Sequence, residues 1–206
     1  MLPYFPIGVL LFKLLRVLDL GRFGFTHEFP MEVVLLVHLR YLAIRSVMSV
    51  PSDIANLSSL ETFLLIQSWD DVVLPNTIWN IQTLRHLFIK SSRCGFRFPA
   101  DSLAGSPDLK HLETLSLAID SSSQSLQTIL IKLPSIRRLK CAPLKDYSSS
   151  RNWILVLDGL SRLESLKVIS LAPLEIKFPP YLKKLTLSRT YMPWIEISTI
   201  GKLPES

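Results

Sequence analysis

Leu15-Arg-Val-Leu-Asp-Leu20 places Leu, two free positions, Leu, one free position and Leu in a six-residue stretch, and that spacing returns down the whole chain. A search for internal repeats precedes any assignment of elements. It finds the spacing again at Leu39-Arg-Tyr-Leu-Ala-Ile44, Leu60-Glu-Thr-Phe-Leu-Leu65, Leu84-Arg-His-Leu-Phe-Ile89 and Leu112-Glu-Thr-Leu-Ser-Leu117. Weaker copies follow at Ile136-Arg-Arg-Leu-Lys-Cys141, Leu163-Glu-Ser-Leu-Lys-Val168 and Leu182-Lys-Lys-Leu-Thr-Leu187. The starts at 15, 39, 60, 84, 112, 136, 163 and 182 are 24, 21, 24, 28, 24, 27 and 19 residues apart.

In a short strand, alternate residues point to opposite faces, so the fourth and sixth positions of each copy turn inward and the third and fifth outward. One such unit cannot bury its own apolar face, so neighbouring copies stack and their strands pair in parallel along a curved solenoid. The spacing and the step lengths therefore read as a leucine-rich-repeat array. The expected fold is an α/β solenoid, a horseshoe with a parallel sheet on its concave face and irregular or short helical convex segments. Residues 1–206 read as a single domain of about eight repeats, with strands near 15–20, 39–44, 60–65, 84–89, 112–117, 136–141, 163–168 and 182–187.

Between strands the early copies share an apolar-Pro step followed by an apolar residue three places on: Phe29-Pro30 with Val33, Val50-Pro51 with Ile54, and Leu74-Pro75 with Ile78. Each proline fixes its own φ and disfavours helix before it, so the return limb starts extended and carries at most a short helical turn. Phe98-Pro99 and Phe178-Pro179 repeat the step, and Trp79 reads as a cover over neighbouring repeats. The polar stretches Ser121-Ser-Ser-Gln-Ser125 and Ser148-Ser-Ser150 read as exposed loops. The start of the chain, with Leu10, Leu11 and Leu14, reads as the tail of a preceding repeat packed under the first strand. The stretch from Met192 to Pro204 reads as a return limb toward a further strand, so the array is expected to be truncated at both ends.

A hydrophobic content of 48 % supplies a core and argues against disorder. Two cysteines, Cys94 and Cys141, are too few for a disulfide framework, which favours a reducing compartment and a cytoplasmic setting. Cys141 takes an inward strand position and reads as a small buried hydrophobe. The apolar N-terminus is shorter than the roughly 20 residues of a membrane span, and lacks the basic leader of a signal peptide.

Residues 15–20, 29–44, 50–63, 74–89 and 185–204, read together, resemble the leucine-rich-repeat region of plant intracellular NLR immune receptors, most closely the late-blight-resistance type of nightshades. HLRYL at 38–42 with TIWN-x-x-TLRHL at 77–87 carries most of that likeness. The resemblance implies a module of disease resistance and innate immunity, the setting of the hypersensitive response. It would bind the nucleotide-binding domain of its parent receptor and a pathogen effector or guarded host protein. The chain has no GxxxxGK[ST] phosphate loop, so the switching nucleotide belongs to another part of such a receptor.

No enzyme is expected. The sequence has no HExxH or CxxC spacing for zinc and no GxSxG elbow, its four histidines are scattered over different repeats, and no cofactor is implied. Asp70-Asp71 reads as a solvated loop pair rather than a metal site. Asn56-Leu57-Ser58 matches a glycosylation acceptor and keeps open an extracellular leucine-rich-repeat receptor or inhibitor. The substrate-binding repeats of a ubiquitin ligase adaptor form the other alternative, from a different functional class.

Partner binding is expected on the concave face, at Tyr41, Arg45, His86, Phe88, Lys90, Arg138, Lys140, Lys167, Lys184 and Arg189. Residues 1–103 hold 9 basic and 8 acidic side chains, and residues 104–206 hold 14 and 9, so most of the net charge of +6 falls in the later repeats. Lys140 and Lys167 should share a column on adjacent strands. Arg137, Glu164 and Lys183 alternate in sign beside them. An acidic protein surface fits this strip better than nucleic acid, which would want aromatic side chains interleaved with the cations.

Overall fold

The computed structural model describes residues 12–22, 28–45, 47, 49–66, 71–90, 95–98, 105–119, 123–143, 153–169, 174–179 and 181–188. Eight of its strands form the spine of one parallel sheet: β1 (Val17–Asp19), β2 (Tyr41–Arg45), β3 (Thr62–Ile66), β5 (His86–Lys90), β7 (Thr114–Ile119), β8 (Arg138–Pro143), β10 (Ser165–Ile169) and β12 (Lys184–Ser188), in that spatial order. The remaining strands are short and lie beside this path. β4 (Val72–Val73) pairs with β6 (Phe96–Arg97), which joins β7, and β9 (Trp153–Val156) pairs with β11 (Leu174–Lys177) in a separate two-stranded sheet.

Register follows the leucine spacing. The fourth position of each copy stands opposite the next, running Leu18, Leu42, Phe63, Leu87, Leu115, Leu139, Leu166 and Leu185 across the spine. Six of these are essentially sealed from solvent, and Leu18 and Leu185 at the two sides pack partly buried against the same core. Burying one such side chain is worth about 1.5–3 kcal/mol, and the stacked columns of neighbouring repeats provide the burial that a lone repeat lacks.

The first residues of each strand are tied to the preceding repeat by two consecutive N–H groups donating to one carbonyl. Arg40 and Tyr41 both donate to Arg16 at 2.8 and 3.0 Å, Glu61 and Thr62 to Arg40 at 2.9 and 2.9 Å, and the series continues to Lys183 and Lys184 on Glu164. The rim of the sheet is thereby held in a single register from β1 to β12.

The return limbs behave as proline placement requires. Pro30, Pro51 and Pro75 stand immediately before the 3-10 helices Met31–Leu35, Ser52–Asn56 and Asn76–Asn80, with φ near −70° and extended ψ. Each helix buries the residue three places after its proline, and Trp79, fully buried, packs on Phe98 with ring centroids 4.9 Å apart. Pro99 lies outside the described residues, as do Leu10, Leu11 and Cys94.

Two expectations are corrected. Ser123–Ser125, expected as part of a loop, begins the helix α1 (Ser123–Ile131), because Ile129, Leu130 and Leu133 just beyond supply buried residues that draw the segment onto the array. Leu14 does not pack under the first strand. It is 79 % exposed in a turn closed by Leu15 N–H donating to Phe12 O at 2.9 Å, and Leu15 is the residue that meets the core.

The sheet narrows between β5 and β7. Their pairing spans only His86 with Thr114 and Leu87 with Leu115, because β6 comes against the later part of β7 through Phe96 and Leu117. Phe96, fully buried, also stacks on Phe63 at 5.9 Å.

Candidate functional site

The candidate site is the outward face of the spine, where three rows of side chains cross the strands. The first row runs Val17, Tyr41, Thr62, His86, Thr114, Arg138, Ser165 and Lys184. The second holds Asp19, Ala43, Leu64 and Phe88 on β1 to β5, and Ser116, Lys140, Lys167 and Thr186 on β7 to β12. In the third, Arg45, Ile66 and Lys90 cross β2 to β5. Ala43 and Leu64 are buried but stand outside the main core cluster, so the early half of the face carries an apolar layer of its own.

The structure divides the expected binding residues into two groups. Tyr41 and Phe88 are half-buried with Leu64 between their strands, and His86 is half-buried with its Nδ1 3.1 Å from Thr114 Oγ1. Arg138, Lys140, Lys167 and Lys184 meet on three adjacent strands. Arg138 and Lys184 flank Ser165 in the first row, and Lys140 stands directly opposite Lys167 in the second. Arg45 and Lys90 lie on the third row, one on either side of Ile66 and apart from both groups. Arg189 lies outside the described residues.

Electrostatics separate the rim from the face. The second position of successive repeats reads Arg40, Glu61, Arg85, Glu113, Arg137, Glu164 and Lys183, strictly alternating in sign. Ion pairs follow at 3.3 Å for Arg40–Glu61, 3.4 Å for Arg85–Glu113, 3.8 Å for Arg137–Glu164 and 3.7 Å for Lys183–Glu164. The face just inside this rim has no such balance. No acidic residue occupies the outward rows of β7, β8, β10 or β12, and among the described residues Arg138, Lys167 and Lys184 take part in no ion pair. Like charges directly opposite on neighbouring strands repel, and Lys140 and Lys167 stand so placed on β8 and β10.

Burial lowers the His86 pKa, with Glu113 opposing the shift and Arg138 and Arg85 reinforcing it, so the imidazole is neutral near pH 7. Burial, followed by the charge of Asp19, raises the Tyr41 phenol. The fixed positive charge of the face therefore comes from its lysines and arginines.

Sequence reasoning missed most of the rim ladder, recognising only Arg137, Glu164 and Lys183, although the sign alternation was visible at the second position of every repeat from Leu39 on. It also missed Ile66 and Ser116 on the face. Asp71, read as half of a solvated loop pair, accepts the Gly95 N–H at 3.1 Å in a part-buried hydrogen bond. Among the described residues no group of three or more metal-ligating side chains occurs, and no helix is long and apolar enough to cross a membrane.

A cavity of about 460 Å³ opens on the return-limb side, between α1 and the turn after β9. Leu130, Leu133, Ile136 and Leu160 line it, and Arg162 at its side donates to Ser135 Oγ at 3.4 Å. It arises where one repeat carries a helix and the next a strand.

Comparison with known proteins agrees with this geometry. The family described as Leucine-rich repeat region matches residues 7–205. A late blight resistance protein homolog of Solanum demissum, R1B-16, is 39 % identical over 202 residues, covering 92 % of this chain and 15 % of that protein. Late blight resistance protein R1-A of the same species is 37 % identical over 163 residues, covering 76 % of this chain and 12 % of that protein. A leucine-rich-repeat protein of Leptospira interrogans superposes with a TM-score of 0.64 over 95 % of this chain and 48 % of its own, at 18 % identity, which speaks to the fold alone.

Proposed function

The chain belongs to the leucine-rich repeat region family, and from that premise we propose that it is the protein-binding and autoregulatory module of a plant disease-resistance receptor, docking its partners on the outward face of the sheet. The observation that carries this reading is the contrast between a rim whose charges are paired and a face whose cations Arg138, Lys167 and Lys184 take part in no ion pair among the described residues. A charge pattern that served folding alone would be balanced on the face as it is along the rim. Complementary charge across an interface gives orientation and association rate, which suits a surface that must hold one partner at rest and respond to another. The partners proposed are the nucleotide-binding domain of the parent receptor and a pathogen effector or guarded host protein, met in the cytoplasm. The chain spans 15 % of the length of its R1B-16 relative, so the nucleotide switch of such a receptor is assigned to other parts of it.

The test is to change Lys140, Lys167 and Lys184 to glutamate in a full-length receptor and measure association of this region with the remaining domains at low and high salt. Weakened association at low salt, converging with the parent at high salt, is expected. Unchanged affinity and unchanged salt dependence would remove the face from that contact.

A further inference from the structure

Strands β10 and β12 pair along their whole lengths, and on the outward side their register makes a box of four side chains. Ser165 stands opposite Lys184, and Lys167 stands opposite Thr186. The two lysines therefore lie on one diagonal of the box and the two hydroxyls on the other. On the other side of Ser165, β8 adds Arg138 directly opposite it. Residues two apart on a strand share a face, so these side chains all point outward while Leu166 and Val168 are sealed in the core.

Among the described residues, none of these five side chains makes a hydrogen bond or an ion pair. Glu164, the residue before Ser165, is held on the rim by Arg137 and Lys183 at 3.8 and 3.7 Å. The outward rows of β7, β8, β10 and β12 contain no acid that could neutralise the box from within. Lys140, opposite Lys167 on β8, has an interaction of its own and takes no part in the box.

From this arrangement we infer that the box is a site for a phosphate monoester, the phosphorylated serine or threonine of a docking partner. The inference rests on the protein-docking reading above and deepens it by naming the group that the partner presents. Charge favours phosphate over a carboxylate, because Arg138, Lys167 and Lys184 converge on one place and a phosphorylated side chain brings about −1.5 to −2 at pH 7. Donor number favours it too, since three acceptor oxygens match two hydroxyls and three cationic side chains better than the two of a carboxylate. Spacing agrees. The box measures about 4.8 Å across the strands and about 6.6 Å along them, which puts its hydroxyl diagonal at about 8 Å. A group centred there lies about 4 Å from each corner, so oxygens carried on a tetrahedral centre can meet both hydroxyls at about 2.7 Å. The long lysine and arginine side chains reach it from the remaining corners and from β8. A nucleic-acid strand fits less well, because no aromatic side chain stands on the outward rows of β8, β10 or β12 to stack a base.

The experiment titrates the full chain into dye-labelled synthetic peptides, followed by fluorescence anisotropy. One peptide carries a single phosphoserine between glycine-alanine flanks. The others carry in its place an unmodified serine or two adjacent glutamates that match its charge, and a short single-stranded oligonucleotide serves as the other phosphate source. The phosphopeptide should bind about tenfold more tightly than the two-glutamate peptide, the order expected of one added charge-assisted hydrogen bond, and the serine peptide should not bind. Lys167→Gln with Lys184→Gln should abolish binding of the phosphopeptide, whereas Arg137→Gln with Lys183→Gln, an equal change of charge on the rim, should alter it by no more than about twofold. Ser165→Ala with Thr186→Val should reduce the preference for phosphate to about threefold or less. Circular dichroism of each variant establishes that it is folded.

Equal affinity for the phosphopeptide and the two-glutamate peptide would overturn the phosphate site while leaving docking of an acidic protein surface intact, since that reading is tested separately in the full-length receptor. No binding of the phosphopeptide, tighter binding of the oligonucleotide, an equal loss in the rim variant, or an unchanged preference in the hydroxyl variant would overturn it as well.

Discussion

Gly95 is a single residue on which the middle of the array depends. A Cβ there would overlap the Leu117 carbonyl and the Ala118 nitrogen, backbone that cannot rotate away, because β6 lies against β7 at this point. Gly95→Ala should therefore lower stability by about 1–3 kcal/mol, the usual cost of overpacking, whereas Gly159→Ala, which meets nothing within 4 Å, should change it by less than about 0.5 kcal/mol. Urea midpoints of the two variants check the contrast, and equal midpoints would contradict it. Cys141 gives a second prediction. Burial pushes its thiol from 9.0 up to about 12, so the unfolded chain releases the proton first as pH rises. Stability from this group is complete below about pH 9 and is lost between about pH 9 and 12, at up to about 1.4 kcal/mol per pH unit. Cys141→Ala should flatten the alkaline fall in stability relative to the parent, and an identical slope would show that the thiol does not report burial. The inward place of Cys141 was legible in the spacing, because period two is strict in a strand. Gly95 was not, since its necessity comes from a strand pairing that two residues, Phe96-Arg97, could not announce by periodicity.

Elements form where a repeated local pattern coincides with a burial opportunity. The three proline-led 3-10 helices were legible because Pro30, Pro51 and Pro75 limit the backbone and an apolar residue follows each at the same offset. α1 was hidden by its serine-rich first turn, whose local preference is overridden by the apolar residues of its second half. The strands β4, β6, β9 and β11 were also hidden, each being four residues or fewer and lacking the leucine spacing. The rim ladder makes a prediction at this scale. Its ion pairs are half-exposed, so Glu113→Gln should cost no more than about 0.5 kcal/mol. Glu113→Lys should cost more, since it would line up a third cation between Arg85 and Arg137, and high salt should recover part of the difference. Thermal unfolding of both variants at low and high salt measures this. A salt-independent loss in Glu113→Lys would mean that the rim acts through packing instead of charge.

At the scale of the whole molecule, the repeat spacing was sufficient for the solenoid and its parallel sheet, because each copy of the six-residue pattern both defines a strand and requires a neighbour. The face was legible in part. The basic columns of β8 to β12 followed from alternation, but the apolar layer around Leu64 and the narrowing at β5 and β7 arise from how neighbouring strands meet. The docking proposal rests on the position of the charge on the face, not on its amount. The most direct measurement compares two doubly substituted receptors that change net charge equally: Lys167→Glu with Lys184→Glu on the face, and Arg137→Glu with Lys183→Glu on the rim. Association of the repeat region with the remaining receptor domains should be lost at low salt in the face variant and retained in the rim variant. Equal loss in both would show that only net charge matters and would contradict docking on the face.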